Sequence, residues 1–160
     1  MSVTIVNADY ERPDHADAIV ALLDAYALDP MGGGKALSQR VRDRVVAALA
    51  QQPGAFSLLA YVDQQPAGLA NCFQGFSTFA CQPLINLHDL AVLPAYRRRG
   101  LAQALLQQVE EIARQRGCCK VTLEVLSGNQ AARQAYAEAG FAAYELDPLM
   151  GQALFLEKPL

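Results

Sequence analysis

The spacing of apolar residues along this chain changes several times, and each change marks an element. Residues 2–8, "SVTIVNA", alternate polar and apolar as a half-buried strand does. In "RPDHADAIVALLDAYAL", Ile19, Leu22, Leu23 and Tyr26 return at helical spacing, and Asp14 is placed to cap that helix. Pro30 and the glycines Gly32, Gly33 and Gly34 break the pattern, which resumes through Leu37, Val41, Val45 and Leu49 until Pro53 and Gly54 stop it. Two β-rich runs follow, "AFSLLAYVD" and "PAGLANCFQGF", joined around "QQ" as a hairpin, and then a third, "INLHDLAVL", which ends at Pro94.

From Gly100 onward Leu101, Ala102, Leu105, Leu106, Val109, Ile112 and Ala113 form one helical face, closed by Gly117. "KVTLEVL" predicts another strand, Asn129 caps a short helix that Gly140 ends, and two weaker strands are expected over residues 142–146 and 152–156. This order predicts the α/β class, a mixed sheet with helices on its faces.

No repeat or composition shift suggests a linker, so residues 1–160 are expected to form a single domain, and 52% apolar residues supply its core. A net charge of −3 gives no general attraction to nucleic acid, which is not expected as a partner. No run approaches the ~18 uncharged apolar residues of a membrane span, and the first residues lack a basic segment leading into an apolar one. Neither membrane association nor export is expected, and the location expected is cytoplasmic. Cys72, Cys81, Cys118 and Cys119 lack metal-ligand spacing and stand apart from His15 and His88, so no metal is expected and the cysteines read as reduced, buried hydrophobes.

Against the acidic balance, "YRRRGLA" concentrates positive charge at a helix start. The unpaired N–H groups and dipole of a helix N-terminus favour an anion, and Gly100 lets the backbone turn sharply while Arg97, Arg98 and Arg99 add charge. A dinucleotide fingerprint would need two further glycines at set spacing, and these are missing. "DPMGGGKA" imitates the end of a nucleotide P-loop, but Asp29 stands where glycine is required and Ala36 where serine or threonine is.

"RRRGLA", residues 97–102, resembles the Gln/Arg-x-x-Gly-x-Gly/Ala signature of the GNAT family of N-acetyltransferases, and "NQAARQAYAEAGF", residues 129–141, is similar to that family's second block, Asn-x-x-Ala-x-x-x-Tyr-x-x-x-Gly-Phe. The resemblance implies the GNAT fold, a central, mostly antiparallel sheet with helices on both faces and a splayed strand pair that admits the pantetheine arm of acetyl-CoA. It implies acetyl-CoA as cosubstrate, its pyrophosphate on Arg97, Arg98, Arg99, Gly100, Leu101 and Ala102, its pantetheine amides on the backbone at Leu90, Ala91 and Val92, and Asn129 beside the splay. Tyr136, two helical turns after Asn129, matches the family's general acid, and a phenol stays protonated at neutral pH until a thiolate needs its proton. Many members of the family are homodimers, and the same is expected here.

The base is open between two neighbours. Alternation along a strand sends His88 and Asp89 to opposite faces, with His88 sharing the parity of Leu90 and Val92. Some family members carry glutamate at the place of His88, and an imidazole, with an unperturbed pKa near ~6.5, suits the same task. Asp89 acting through water is the alternative. The candidate acceptor pocket is lined by the first helix pair, the glycine connection and Phe73, Phe76 and Phe79, which read more readily as core or dimer-interface aromatics, and the acidic residues Asp24, Asp29 and Asp89 are too few and scattered to define a polyamine acceptor. The expected activity is acetyl transfer from acetyl-CoA to a primary amine of a small molecule. The alternatives are acetylation of a protein amino group and a non-catalytic acetyl-CoA-binding module.

Overall fold

The computed structural model describes residues 2–160 and divides them into two compact units, one ending at Leu123 and the other spanning Glu124–Leu160. The first unit contains strand β1 (Val3–Asn7), helices α1 (Pro13–Leu28) and α2 (Gln39–Gln51), strands β2 (Phe56–Val62), β3 (Gln65–Ser77) and β4 (Gln82–Val92), helix α3 (Leu101–Gln115) and strand β5 (Val121–Leu123). The sheet follows chain order, β1-β2-β3-β4-β5, with every neighbour antiparallel except β5, which runs parallel to β4. Helix α3 lies between those two strands in sequence, as a parallel crossover requires.

Each face of the sheet has its own helices. Ala18, Ile19 and Leu22 of α1 and Leu49 of α2 pack on Leu59 and Leu69. On the other side α3 buries Leu101, Leu105, Leu106, Val109, Ile112 and Ala113, and Leu105 lies against Gly68. The α1 helix begins two residues earlier than a cap at Asp14 would place it. Pro13, with φ already set for a helix, takes the first position, while the expected cap Asp14 pairs instead with Arg12 at 2.6 Å. Ser38 caps α2 by accepting from the Val41 N–H at 3.3 Å. The β2–β3 turn falls on Asp63 and Gln64, at φ 47° and 67°, one residue before the expected "QQ". Two left-handed residues in a row make the turn that matches strand twist.

In the second unit Asn129 caps helix α4 (Gln130–Glu138), accepting from the Ala132 N–H at 3.2 Å. Gly140, left-handed at φ 91°, donates to Ala137 O, and Phe141 donates to Tyr136 O, which closes the helix as a Schellman motif. The two expected terminal strands reduce to one antiparallel bridge, Glu145 with Gln152. Leu146, Leu149, Leu154 and Phe155 around it are exposed, so no buried apolar face exists there to hold a ladder in register. Among the described residues no helix is long and apolar enough to cross a membrane.

Candidate active site

The connection from β4 to α3 carries the arginine triplet. A 3-10 turn, Pro94–Tyr96, follows β4, and Arg98 and Gly100 then take left-handed φ values of 60° and 80°. Gly100 is the N-cap of α3 and, as a glycine, brings no capping side chain of its own, and a Cβ there would meet no atom within 4 Å. Left-handed residues alternating with ordinary ones turn successive N–H groups into one concavity, a shape that takes an anion.

The three arginines divide their work. Arg97 donates from Nη2 to Asp29 Oδ2 at 2.8 Å and from Nε to Val92 O at 3.0 Å, tying the loop to the end of α1 and to β4. That pairing holds the Asp29 carboxyl below its ordinary value. The Arg99 guanidinium lies over the Tyr96 ring at 5.8 Å. Arg98 contributes the left-handed backbone itself.

The last five residues of β4 have one edge on β3 and the other beyond the reach of β5, which pairs only with Ile85, Asn86 and Leu87. The Leu93 N–H reaches back to Ala67 O, and antiparallel alternation then gives Ala91 and Asp89 the same direction. Leu90 and Val92 therefore aim their backbone groups at the outer edge, where Arg97 takes Val92 O. Ala91, in between, is committed to β3.

A bulge changes what alternation predicts for the next pair. Asn71 pairs with Asp89 and Cys72 with Leu87, so His88 is an extra residue with no partner of its own on β3. The His88 ring sits edge-on to Phe73 at 5.3 Å, while Asp89 Oδ2 accepts from Asn71 Nδ2 at 3.0 Å. Phe73 and Asn71 are two residues apart on a regular strand and share a face. His88 and Asp89 therefore lie on one side of the sheet, that of α1 and α2, and the expected opposition of the two is corrected. Leu87 and Leu90 take the α3 side.

Of the other acidic candidates, Asp24 accepts from the Leu37 N–H at 2.8 Å and pairs with Arg42 at 3.1 Å, and Asp29 holds Arg97 and the Met31 N–H. Both therefore act in the loop after α1, and Asp89 alone remains beside the bulge. Phe73 packs on the core and on His88, whereas Phe76 and Phe79 are exposed at the β3–β4 hairpin. In the second unit the Tyr136 ring packs edge-on to Phe141 at 5.9 Å, and Asn129 Oδ1 is used in capping α4.

Four residues of this face escaped the sequence reading. Ser57 and Asn71 are sealed inside the sheet, Tyr10 hydrogen-bonds Ser57, and Tyr26 of α1 has its phenol pushed up by burial and by the charges of Asp89 and Asp29. The signal for the first two was present: polar residues at the inward parity of β2 and β3, next to Leu59 and Leu69.

The model of the acetyltransferase (GNAT) family matches residues 19–141. The chain belongs to the GNAT acetyltransferase family. It is an N-acetyltransferase. A thialysine N-epsilon-acetyltransferase of Caenorhabditis elegans is 26% identical over 126 residues, which are 78% of this chain and 75% of that one. An aminoglycoside N(6')-acetyltransferase type 1 of Acinetobacter genomosp. 13 is 32% identical over 97 residues, 58% of this chain and 66% of its own. Among solved structures, AAC(6')-Iy in complex with the bisubstrate analog CoA-S-monomethyl-acetylneamine covers all of both chains with a TM-score of 0.78 at 18% identity, a likeness of fold.

GNAT enzymes take their acetyl group from acetyl-CoA, and two observations in this GNAT chain fit that donor. The cradle at Arg98 and Gly100 has room for a phosphate where a side chain would stand, and the outward backbone of Leu90 offers an amide pairing edge.

Proposed function

We propose that this chain acetylates a primary amine of a small molecule, using acetyl-CoA. The observation that supports this most directly is the bulge, which sets an imidazole and a carboxylate on one side of the strand whose Leu90 backbone faces away from β3. Acetyl-CoA, when bound, supplies a thioester carbonyl for attack. The backbone N–H groups from Arg98 to Ala102 hold its pyrophosphate, and Leu90 and Val92 hold its amide-bearing arm.

The residues on the acceptor side follow from the state of the amine. An aliphatic amine has a pKa near ~10 and arrives as an ammonium, which cannot act as a nucleophile. Asp89 offers that cation a carboxylate, and the exposed imidazole of His88 takes its proton. The phenol of Tyr136, at the tyrosine of the family's second motif, holds the proton that the leaving sulfur requires.

The test is to follow release of free CoA by chromatography with thialysine, an aminoglycoside and a short peptide bearing a free N-terminus as acceptors. A chromogenic thiol reagent is unsuitable because Cys81 and Cys119 are exposed. Turnover of either small amine well above the peptide supports the reading. Turnover of the peptide alone replaces it with a protein acetyltransferase.

A further inference from the structure

Ser57 alternates with Leu59 and Tyr61 along β2, and Asn71 with Leu69 and Phe73 along β3, so both occupy positions where the sheet faces its core. They are 0% and 1% exposed. A buried hydroxyl and a buried amide add nothing to packing that two apolar side chains of similar size would not, and each destabilises the fold if left unpaired. Here each is paired, and the pairing runs from strand to strand.

The direction of the hydrogen bonds follows from the chemistry of their end point. An ionised carboxylate only accepts, so the Asn71 amide must turn Nδ2 toward Asp89 Oδ2, at 3.0 Å, and Oδ1 toward Ser57. Oδ1 also only accepts, so Ser57 spends its single proton on that oxygen, at 2.6 Å. The Ser57 oxygen is then left to accept from the Tyr10 hydroxyl, at 2.8 Å. Three side chains from three segments all donate toward one carboxylate, and in such a chain each bond polarises the next. Among the described residues, Asp89 Oδ1 accepts no hydrogen bond.

We infer that Tyr10, Ser57 and Asn71 are positioning residues: a relay running across the sheet that fixes Asp89 Oδ2 from behind and presents Oδ1, beside His88, to an acceptor carrying a protonated aliphatic amine. This rests on the transferase reading and adds to it three positioning residues that touch neither substrate. The bulge is part of the device. Without the bulge, strict alternation would hold the His88 imidazole and the Asp89 carboxylate on opposite faces, and the relay would end on a group remote from the base.

The test compares wild type with Asn71→Leu, Ser57→Ala and Tyr10→Phe, using the amine that wild type turns over best and recording acetyl-CoA binding by thermal shift in every variant. Asn71→Leu is expected to raise KM for the amine about tenfold, with a smaller change in kcat and an unchanged acetyl-CoA shift. The effects should fall in the order Asn71→Leu, Ser57→Ala, Tyr10→Phe, following distance along the chain from Asp89. The double variant Asn71→Asp with Asp89→Asn keeps a hydrogen bond between the two positions but moves the charge. It should stay as impaired as Asp89→Asn, whereas a structural role predicts recovery. An unchanged KM in Asn71→Leu, recovery in the double variant, or losses that simply track lowered stability would each overturn the relay.

A second reading needs no turnover. The side-chain carboxyl 13C resonance of Asp89 should move between wild type and Tyr10→Phe, a substitution that removes one oxygen and disturbs the fold least, and a resonance that stays in place overturns the relay. A wild type that binds acetyl-CoA but acetylates no amine would sink the transferase reading instead, and the resonance would still decide the relay.

Discussion

The loop that leads into α3 and the bulged half of β4 adjoin each other in sequence, yet they are built by opposite means. The loop is local: two left-handed residues and a helix start, all between Arg97 and Ala102, make the concavity, and Arg97 fastens it to β4 and the end of α1. The acceptor face is collective, since Tyr10, Ser57, Asn71 and Asp89 come together only because β2, β3 and β4 hold one register, and His88 joins them only because that register slips by one residue. A local site should fail all at once when its backbone is blocked. A collective one should fail by degrees as its members are removed.

The largest expected effect is therefore at Gly100. Trp at this position has space around its Cβ but must hold a left-handed backbone, which costs about 1–2 kcal/mol, and its indole would fill the cradle. Wild type at a hundred times the Kd of acetyl-CoA should gain about 2.7 kcal/mol in stability, seen as a thermal shift, and Gly100→Trp should fold and gain none. A variant that keeps the shift would remove the cradle from the cofactor site and end the contrast drawn above.

Next comes His88. His88→Ala should lower kcat about a hundredfold while leaving the acetyl-CoA shift intact. Titratable groups on that side of the sheet include Asp89 on the same strand, Tyr26 from α1, Tyr10 through the relay, and His15 of α1 against Tyr61 of β2, with the Asp29 charge also acting on Tyr26. A kcat that stays near that of wild type would take the role of base from His88 and leave Asp89 as the candidate.

The same contrast explains what could be read from the sequence. The element order through α4 was legible because hydrophobic period reports burial directly, and Gly100, Asn129 and Gly140 were legible because capping is local chemistry. His88 and Asp89 were legible as candidates but not as neighbours, because the bulge depends on where β3 pairs. Ser57 and Asn71 were missed for a related reason. A polar residue in a strand looks like a solvent-facing one until the pairing shows which way it points. The terminal strands failed in the other direction, since alternating apolar residues near Leu146 and Leu154 predict a ladder that only a buried face would enforce.

Within the loop the smallest expected effect belongs to Arg97, whose guanidinium is tied to the Asp29 carboxylate at the end of α1. Its bond to Asp29 lies at the surface, with about half of the arginine side chain exposed, so it is worth little to stability. Arg97→Ala and Asp29→Asn should each weaken acetyl-CoA binding only about twofold, and by the same factor, because they remove two ends of one tie. The pH dependence has a definite sign. Asp29 titrates below its ordinary value in the folded protein, so the tie is present above about pH 4 and is lost as the pH falls through the lowered folded value. Isothermal titration of acetyl-CoA should thus show a constant ratio between wild type and Asp29→Asn from about pH 5 to 8. A large loss in Arg97→Ala that Asp29→Asn does not share would instead place the Arg97 charge on the phosphates, and the triplet would act as one patch after all.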